Sequence, residues 1–81
     1  MRINVKLFAI LRDRAGTSEL TLDLPHGSGT SAALELIATK LPALRELLPR
    51  AACAINREYA TRDASLKDGD ELALIPPVSG G

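Results

Sequence analysis

Hydrophobic and polar positions alternate along the first residues of the chain. Ile3, Val5 and Leu7 fall on one side, and Asn4, Lys6 and Phe8 on the other. This two-residue period predicts a strand with a core face over residues 2–8. Residues 9–15 predict a short helical connection, with Gly16 suited to stop it. A second alternation follows over residues 19–24, with Leu20, Leu22 and Leu24 set against Glu19, Thr21 and Asp23. One buried and one wet face favour an antiparallel neighbour.

The period then changes. Residues 25–29 read as a loop and Thr30 as the N-cap of a helix whose apolar stripe is Leu34, Ile37, Ala38 and Leu41. Pro42 interrupts it, residues 43–48 predict one more helical turn, and Pro49 ends that turn. Residues 51–56 are apolar and strand-like, Arg57-Glu58 turns the chain into a very short strand around Tyr59, and Leu66 is an isolated core contact in coil. Lys67-Asp68-Gly69-Asp70 is a turn and residues 71–75 form the last strand. Pro76-Pro77-Val78-Ser79-Gly80-Gly81 has no regular period. One helix and several one-faced strands make an α+β two-layer sandwich, with a mixed sheet packed on one main helix. The expected division is a domain over residues 1–75 and an extended tail over residues 76–81.

Composition narrows the function classes. With 81 residues the chain holds one core, and 46% hydrophobic against 25% charged residues is a globular balance. Ten basic residues offset ten acidic ones, and the aromatics are Phe8 and Tyr59. Without a basic stripe or stacking platform, nucleic acid is not an expected partner. No strictly apolar run exceeds the length of Leu7 to Leu11, and the first residues are not a signal peptide, so no membrane association is expected and the protein is read as cytoplasmic. A single cysteine, Cys53, with one histidine, His26, makes a metal site unexpected.

The residues also support a resemblance. Val5-Lys6-Leu7-Phe8-Ala9 followed by Arg12 and Gly16, then Ala54-Ile55-Asn56, then Leu66 with Asp68-Gly69-Asp70-Glu71-Leu72, and the ending Pro76-Pro77-Val78-Ser79-Gly80-Gly81 together resemble the molybdopterin synthase small subunit, the MoaD family. The likeness spans the chain. Ser31 and Ala32 at the helix start and Leu74-Ile75 in the last strand depart from the family pattern.

The resemblance implies a ubiquitin-like β-grasp fold and a sulfur carrier for molybdenum cofactor biosynthesis. The chain is then no enzyme on its own, but the sulfur-donating small subunit of a sulfurtransferase. Gly81 is the reactive residue, its carboxylate adenylated and then converted to a thiocarboxylate that donates sulfur to a cyclic pterin precursor in the large subunit. Implied partners are that large subunit in a heterotetramer, a ubiquitin-activating-type adenylating enzyme and a persulfide sulfur donor. No cofactor is held permanently; ATP is used by the activating partner.

Physical chemistry fits the tail to this role. Gly80 and Gly81 lack a Cβ and pass through a narrow channel. Pro76 and Pro77 hold the tail root extended, and Val78 and Ser79 complete a six-residue reach of roughly 20 Å. By strand parity Phe8 and Ile75 face away from the helix, and in a β-grasp sheet they meet at the tail root as a partner-docking patch. Three alternatives stand beside this one: a carrier for cysteine, thiamin or tRNA thiolation, a protein modifier conjugated through Gly81 to lysines, and a binding module with an incidental Gly-Gly.

Other signals have blander readings. Gly27-Ser28-Gly29-Thr30-Ser31-Ala32 matches a dinucleotide-loop pattern, but the preceding strand has a wet face, unlike a buried parallel strand. Cys53 reads as a small buried hydrophobe, His26 as a solvated loop residue, Asp68, Asp70 and Glu71 as an acidic turn, and Arg12 as a surface cation.

Overall fold

Alternation becomes pairing in strand Arg2–Leu7 (β1). The computed structural model of the chain describes residues 1–77. Ile3, Val5 and Leu7 are each 1% exposed or less. β1 runs antiparallel to Glu19–Asp23 (β2), with Ile3 opposite Leu22 and Val5 opposite Leu20. On its other side β1 runs parallel to Glu71–Ile75 (β5), with Val5 opposite Leu72 and Leu7 opposite Leu74. Ala52–Ile55 (β3) pairs antiparallel with β5, and Glu58–Ala60 (β4) closes the sheet. The strand order is β2-β1-β5-β3-β4, a mixed five-stranded sheet.

One sheet face carries the core. Helix Thr30–Lys40 (α2) covers it through Ala33, Leu34 and Ile37, with Leu11, Leu44, Leu48 and Leu66 filling the flanks. Ile37 is fully buried, and such a side chain stabilises the fold by about 1.5–3 kcal/mol. This is the α+β two-layer arrangement expected from the pattern, and the β-grasp fold that the resemblance implies. Helix Ala9–Ala15 (α1) ends at Gly16, whose φ of 76° is left-handed and whose N–H donates to the Arg12 carbonyl at 3.0 Å.

The first three strands end within one residue of expectation, at Leu7, Asp23 and Ile55, and three further departures have a physical cause. The N-cap of α2 is Gly29, not Thr30. Thr30 is the first helical residue and fully buried, and its hydroxyl donates to the Ala64 carbonyl at 3.2 Å instead of capping. The extra helical turn expected over residues 43–48 is replaced by two 3₁₀ turns, Pro42–Leu44 and Leu48–Arg50. Pro42 and Pro49 each lack an N–H, so neither continues an α-helical ladder, and Pro49 sits inside the second turn rather than ending a helix. The hairpin between β3 and β4 turns on Asn56 and Arg57, at φ 50° and 73°, one residue earlier than expected. Two left-handed residues in a two-residue loop match the twist of the flanking strands.

The acidic turn is consumed internally. Asp68 accepts the Arg2 N–H at 2.7 Å, and Asp70 accepts the Lys67 N–H at 2.7 Å and the Asn56 amide at 2.9 Å. The Asn56 carbonyl oxygen in turn accepts the Glu71 N–H at 3.0 Å. These bonds anchor the start of β5, and β5 ends at Ile75. Pro76 and Pro77 follow outside regular structure.

Candidate functional site

The parallel pairing of β1 and β5 makes their C-terminal ends coincide. Leu7 pairs with Leu74, so the next residues, Phe8 and Ile75, lie at the same end of the sheet, where Pro76 leads away. Phe8 is extended at φ −123°, ψ 154° and 44% exposed. Ala9 then takes φ 52°, a left-handed value costly for a residue with a Cβ, and the chain turns into α1. Ile75 is half-buried and stands opposite Ala52 of β3. The structure therefore places Phe8 and Ile75 one residue past a paired position, at the end of the sheet from which the tail leaves. Val78, Ser79, Gly80 and Gly81 lie outside the described residues.

The face that carries Phe8 and Ile75 is the one α2 leaves open. At its centre Lys6 pairs with Glu71 at 3.1 Å and Glu19 at 4.0 Å. Ala73 and Ala54 stand opposite one another beside it, and Tyr59, opposite Ala54, is 78% exposed. A shallow concavity of about 230 Å³ lined by Lys6, Phe8, Arg12 and Glu19 adjoins the tail root. Arg12 is exposed, with Asp13 at 3.8 Å. The face thus pairs small and apolar residues with a compensated charge cluster, the mixed chemistry of a non-obligate interface. The sequence does not single out Lys6 as a site residue, because its partners Glu19 and Glu71 come from two other strands.

The remaining signals land elsewhere. Cys53 is on the core face, 4% exposed, and burial raises its thiol pKa while the Arg62 charge pulls it the other way. His26 is exposed in the loop before α2. β2, which precedes the glycine-containing loop, is an antiparallel edge strand, so no parallel-strand crevice is built there to hold a dinucleotide. The hydroxyls of Thr30 and Ser31 both donate to backbone carbonyls. Among the described residues no group of three His, Cys, Asp or Glu side chains is placed to hold a metal ion. No helix among them is long and apolar enough to cross a membrane.

The comparison that decides the family covers nearly the whole chain: the model of the ThiS family matches residues 5–81. The chain belongs to the ThiS family. Among relatives, this ThiS-family chain is 43% identical over 81 residues to the molybdopterin synthase sulfur carrier subunit of Arabidopsis thaliana, spanning 100% of this chain and 84% of that one. Among solved structures it superposes on SAMP1 from Haloferax volcanii with a TM-score of 0.92 and 31% identity, covering 100% of both chains. It also matches a chain of the complex of subunits 1 and 2 of the molybdopterin-converting factor from Helicobacter pylori, with a TM-score of 0.68 and 27% identity, again over 100% of both.

Proposed function

We propose that this chain is the sulfur carrier subunit of a molybdopterin synthase, and that Gly81 carries the sulfur. The observation that carries the reading is the parallel β1–β5 register, which starts the Pro76-Pro77 tail root beside the exposed Phe8. The name of the Arabidopsis relative and the two-subunit Helicobacter complex support it.

A carboxylate is a poor acyl donor because its leaving group is oxide. An adenylating partner of the ubiquitin-activating type couples the Gly81 carboxylate to AMP, releasing pyrophosphate from ATP. The terminal sulfur of a partner's persulfide then attacks the acyl carbon and expels AMP. A thiol cleaves the resulting S–S bond, leaving a Gly81 thiocarboxylate and a disulfide. Ionised sulfur is the nucleophile, and in the large subunit it attacks the activated carbon of a cyclic pterin precursor. The chain supplies the reagent and its partners supply the catalysis; on its own it is no enzyme and keeps no cofactor. Pro76 and Pro77 stiffen the tail root, Val78 and Ser79 extend it, and Gly80 and Gly81 fit a channel closed to larger residues. Phe8 and Ile75 dock the domain at the channel mouth. The working assembly is a cytoplasmic heterotetramer of two small and two large subunits.

A second reading is favoured by the superposition on a small archaeal modifier protein: conjugation of Gly81 to a lysine amine. It shares the adenylation step and differs in the nucleophile. The test of the leading reading adds one residue after Gly81, or substitutes Gly81→Ala. Sulfur transfer in the reconstituted synthase then falls by roughly 100-fold or more, because the acyl carbon is misplaced, while the melting temperature is unchanged. Near-normal transfer by either variant rejects Gly81 as the working group.

A further inference from the structure

A groove opens on the opposite layer of the molecule, away from the tail-root face. Its floor is Leu34 and Ala38 of α2 with Leu48 and Pro49 of the second 3₁₀ turn, and its rim is Arg45, Arg62 and Glu35. The volume is about 320 Å³, at the bottom of the roughly 300–1,000 Å³ range of ligand sites, which suits side-chain anchors better than a large cofactor.

Arg62 builds this groove. Its carbonyl accepts the Ser31 N–H at 3.2 Å and the Ser31 hydroxyl at 2.9 Å, which ties it to the start of α2. Its Nη2 donates to the carbonyls of Leu48, Pro49 and Ala51 at 2.9, 2.7 and 3.1 Å. One residue therefore pins both walls, and its guanidinium is held in place before anything binds. Nε and Nη1 have no acceptor among the described residues, and neither Arg45 nor Arg62 makes an ion pair among them. The rim carries two guanidinium charges against the single carboxylate of Glu35.

We infer that this groove docks an acidic, leucine-type segment of a partner protein, with apolar side chains on the Leu34–Pro49 floor and carboxylates on Arg45 and Arg62. The floor gives a hydrated ion nothing to hold, and the rim disfavours a basic segment. Arg45 offers a carboxylate paired N–H donors, while Arg62, whose Nη2 is engaged by the three carbonyls, offers Nε and Nη1 singly as a pre-set cation that loses less entropy on binding. Because the groove lies on the α2 layer, its occupant stays bound while the opposite face and the tail engage a second protein. Docking at the groove is independent of the sulfur-carrier reading, since it concerns binding alone.

The test titrates ¹⁵N-labelled full-length protein with a blocked peptide of alternating leucine and aspartate, and separately with its leucine–lysine counterpart. The acidic peptide saturably shifts the amides of Leu34, Ala38, Arg45 and Arg62, and the basic one does not. Arg45→Glu, an exposed site, weakens the acidic peptide by about fivefold or more, with the spectrum's dispersion intact. Ala38→Gln, which fills the floor, weakens it independently. Equal response to both peptides, shifts centred on Phe8 and Ile75, no shift at millimolar peptide, or unchanged affinity in Arg45→Glu each overturns the inference.

Discussion

Leu7 and Leu74 face one another across the parallel pair β1–β5, each 1% exposed or less. Their burial fixes the register, because a slip of one residue would turn the apolar set of one strand into solvent while the other stayed in the core. The same register sets the next residue of each strand, placing Phe8 and Ile75 at one end of the sheet, on the face α2 leaves open. Docking is expected to depend on this pair. Phe8→Ala or Ile75→Asp should weaken binding of the molybdopterin synthase large subunit by roughly tenfold or more in titration calorimetry. Since Phe8 is 44% exposed, Phe8→Ala should cost the fold only about 1 kcal/mol or less. Unchanged affinity in both variants would remove the patch from the account.

The alternating strands are legible in the sequence because each buries a single face: Ile3, Val5 and Leu7, then Leu22 and Leu24, then Leu72 and Leu74 are where a period of two places them. The start of α2 departs from its sequence signal for a physical reason. Thr30 is a good capping residue in isolation, but its hydroxyl is taken by Ala64, which lies 34 residues away in sequence. The left-handed pair Asn56-Arg57 is half legible, since Asn tolerates that conformation and Arg carries no such signal. Arg62 is invisible in the sequence as a wall of the groove, because its acceptors at Leu48, Pro49 and Ala51 come from a distant turn. Gly81 and Val78 stand on composition and resemblance alone.

Gly29 is required by a close approach rather than by its backbone angles. A Cβ there would lie 2.8 Å from the Ala64 carbonyl oxygen. That oxygen accepts the Thr30 N–H at 2.9 Å and its hydroxyl at 3.2 Å, so it cannot retreat without loosening both bonds. Gly29→Ala should lower stability by about 1–3 kcal/mol, read as a lower urea midpoint with an unchanged slope. A midpoint equal to the parent's would contradict the packing described at the start of α2.

Cys53 ties stability to alkaline pH. Its folded pKa is raised by burial above the ordinary 9.0, so on unfolding the thiol ionises more readily and the folded state binds more protons. Stability from this group is full below about pH 9 and is lost as pH rises through the folded pKa. Denaturant titrations of the parent and Cys53→Ala should therefore converge as pH climbs past 9. A gap between the two that stays constant or widens would place the thiol in contact with water.

The central claim is that Gly81 receives sulfur, and the most direct measurement is intact mass. The untagged chain is incubated with ATP, a ubiquitin-activating-type adenylating enzyme and a persulfide donor, and its mass is followed with and without the donor. The account predicts a gain equal to one oxygen replaced by sulfur, mapped by fragmentation to Gly81 and dependent on both ATP and the donor. A chain that keeps its free carboxylate while isopeptide-linked species accumulate on lysines would contradict it, and would establish the modifier chemistry instead.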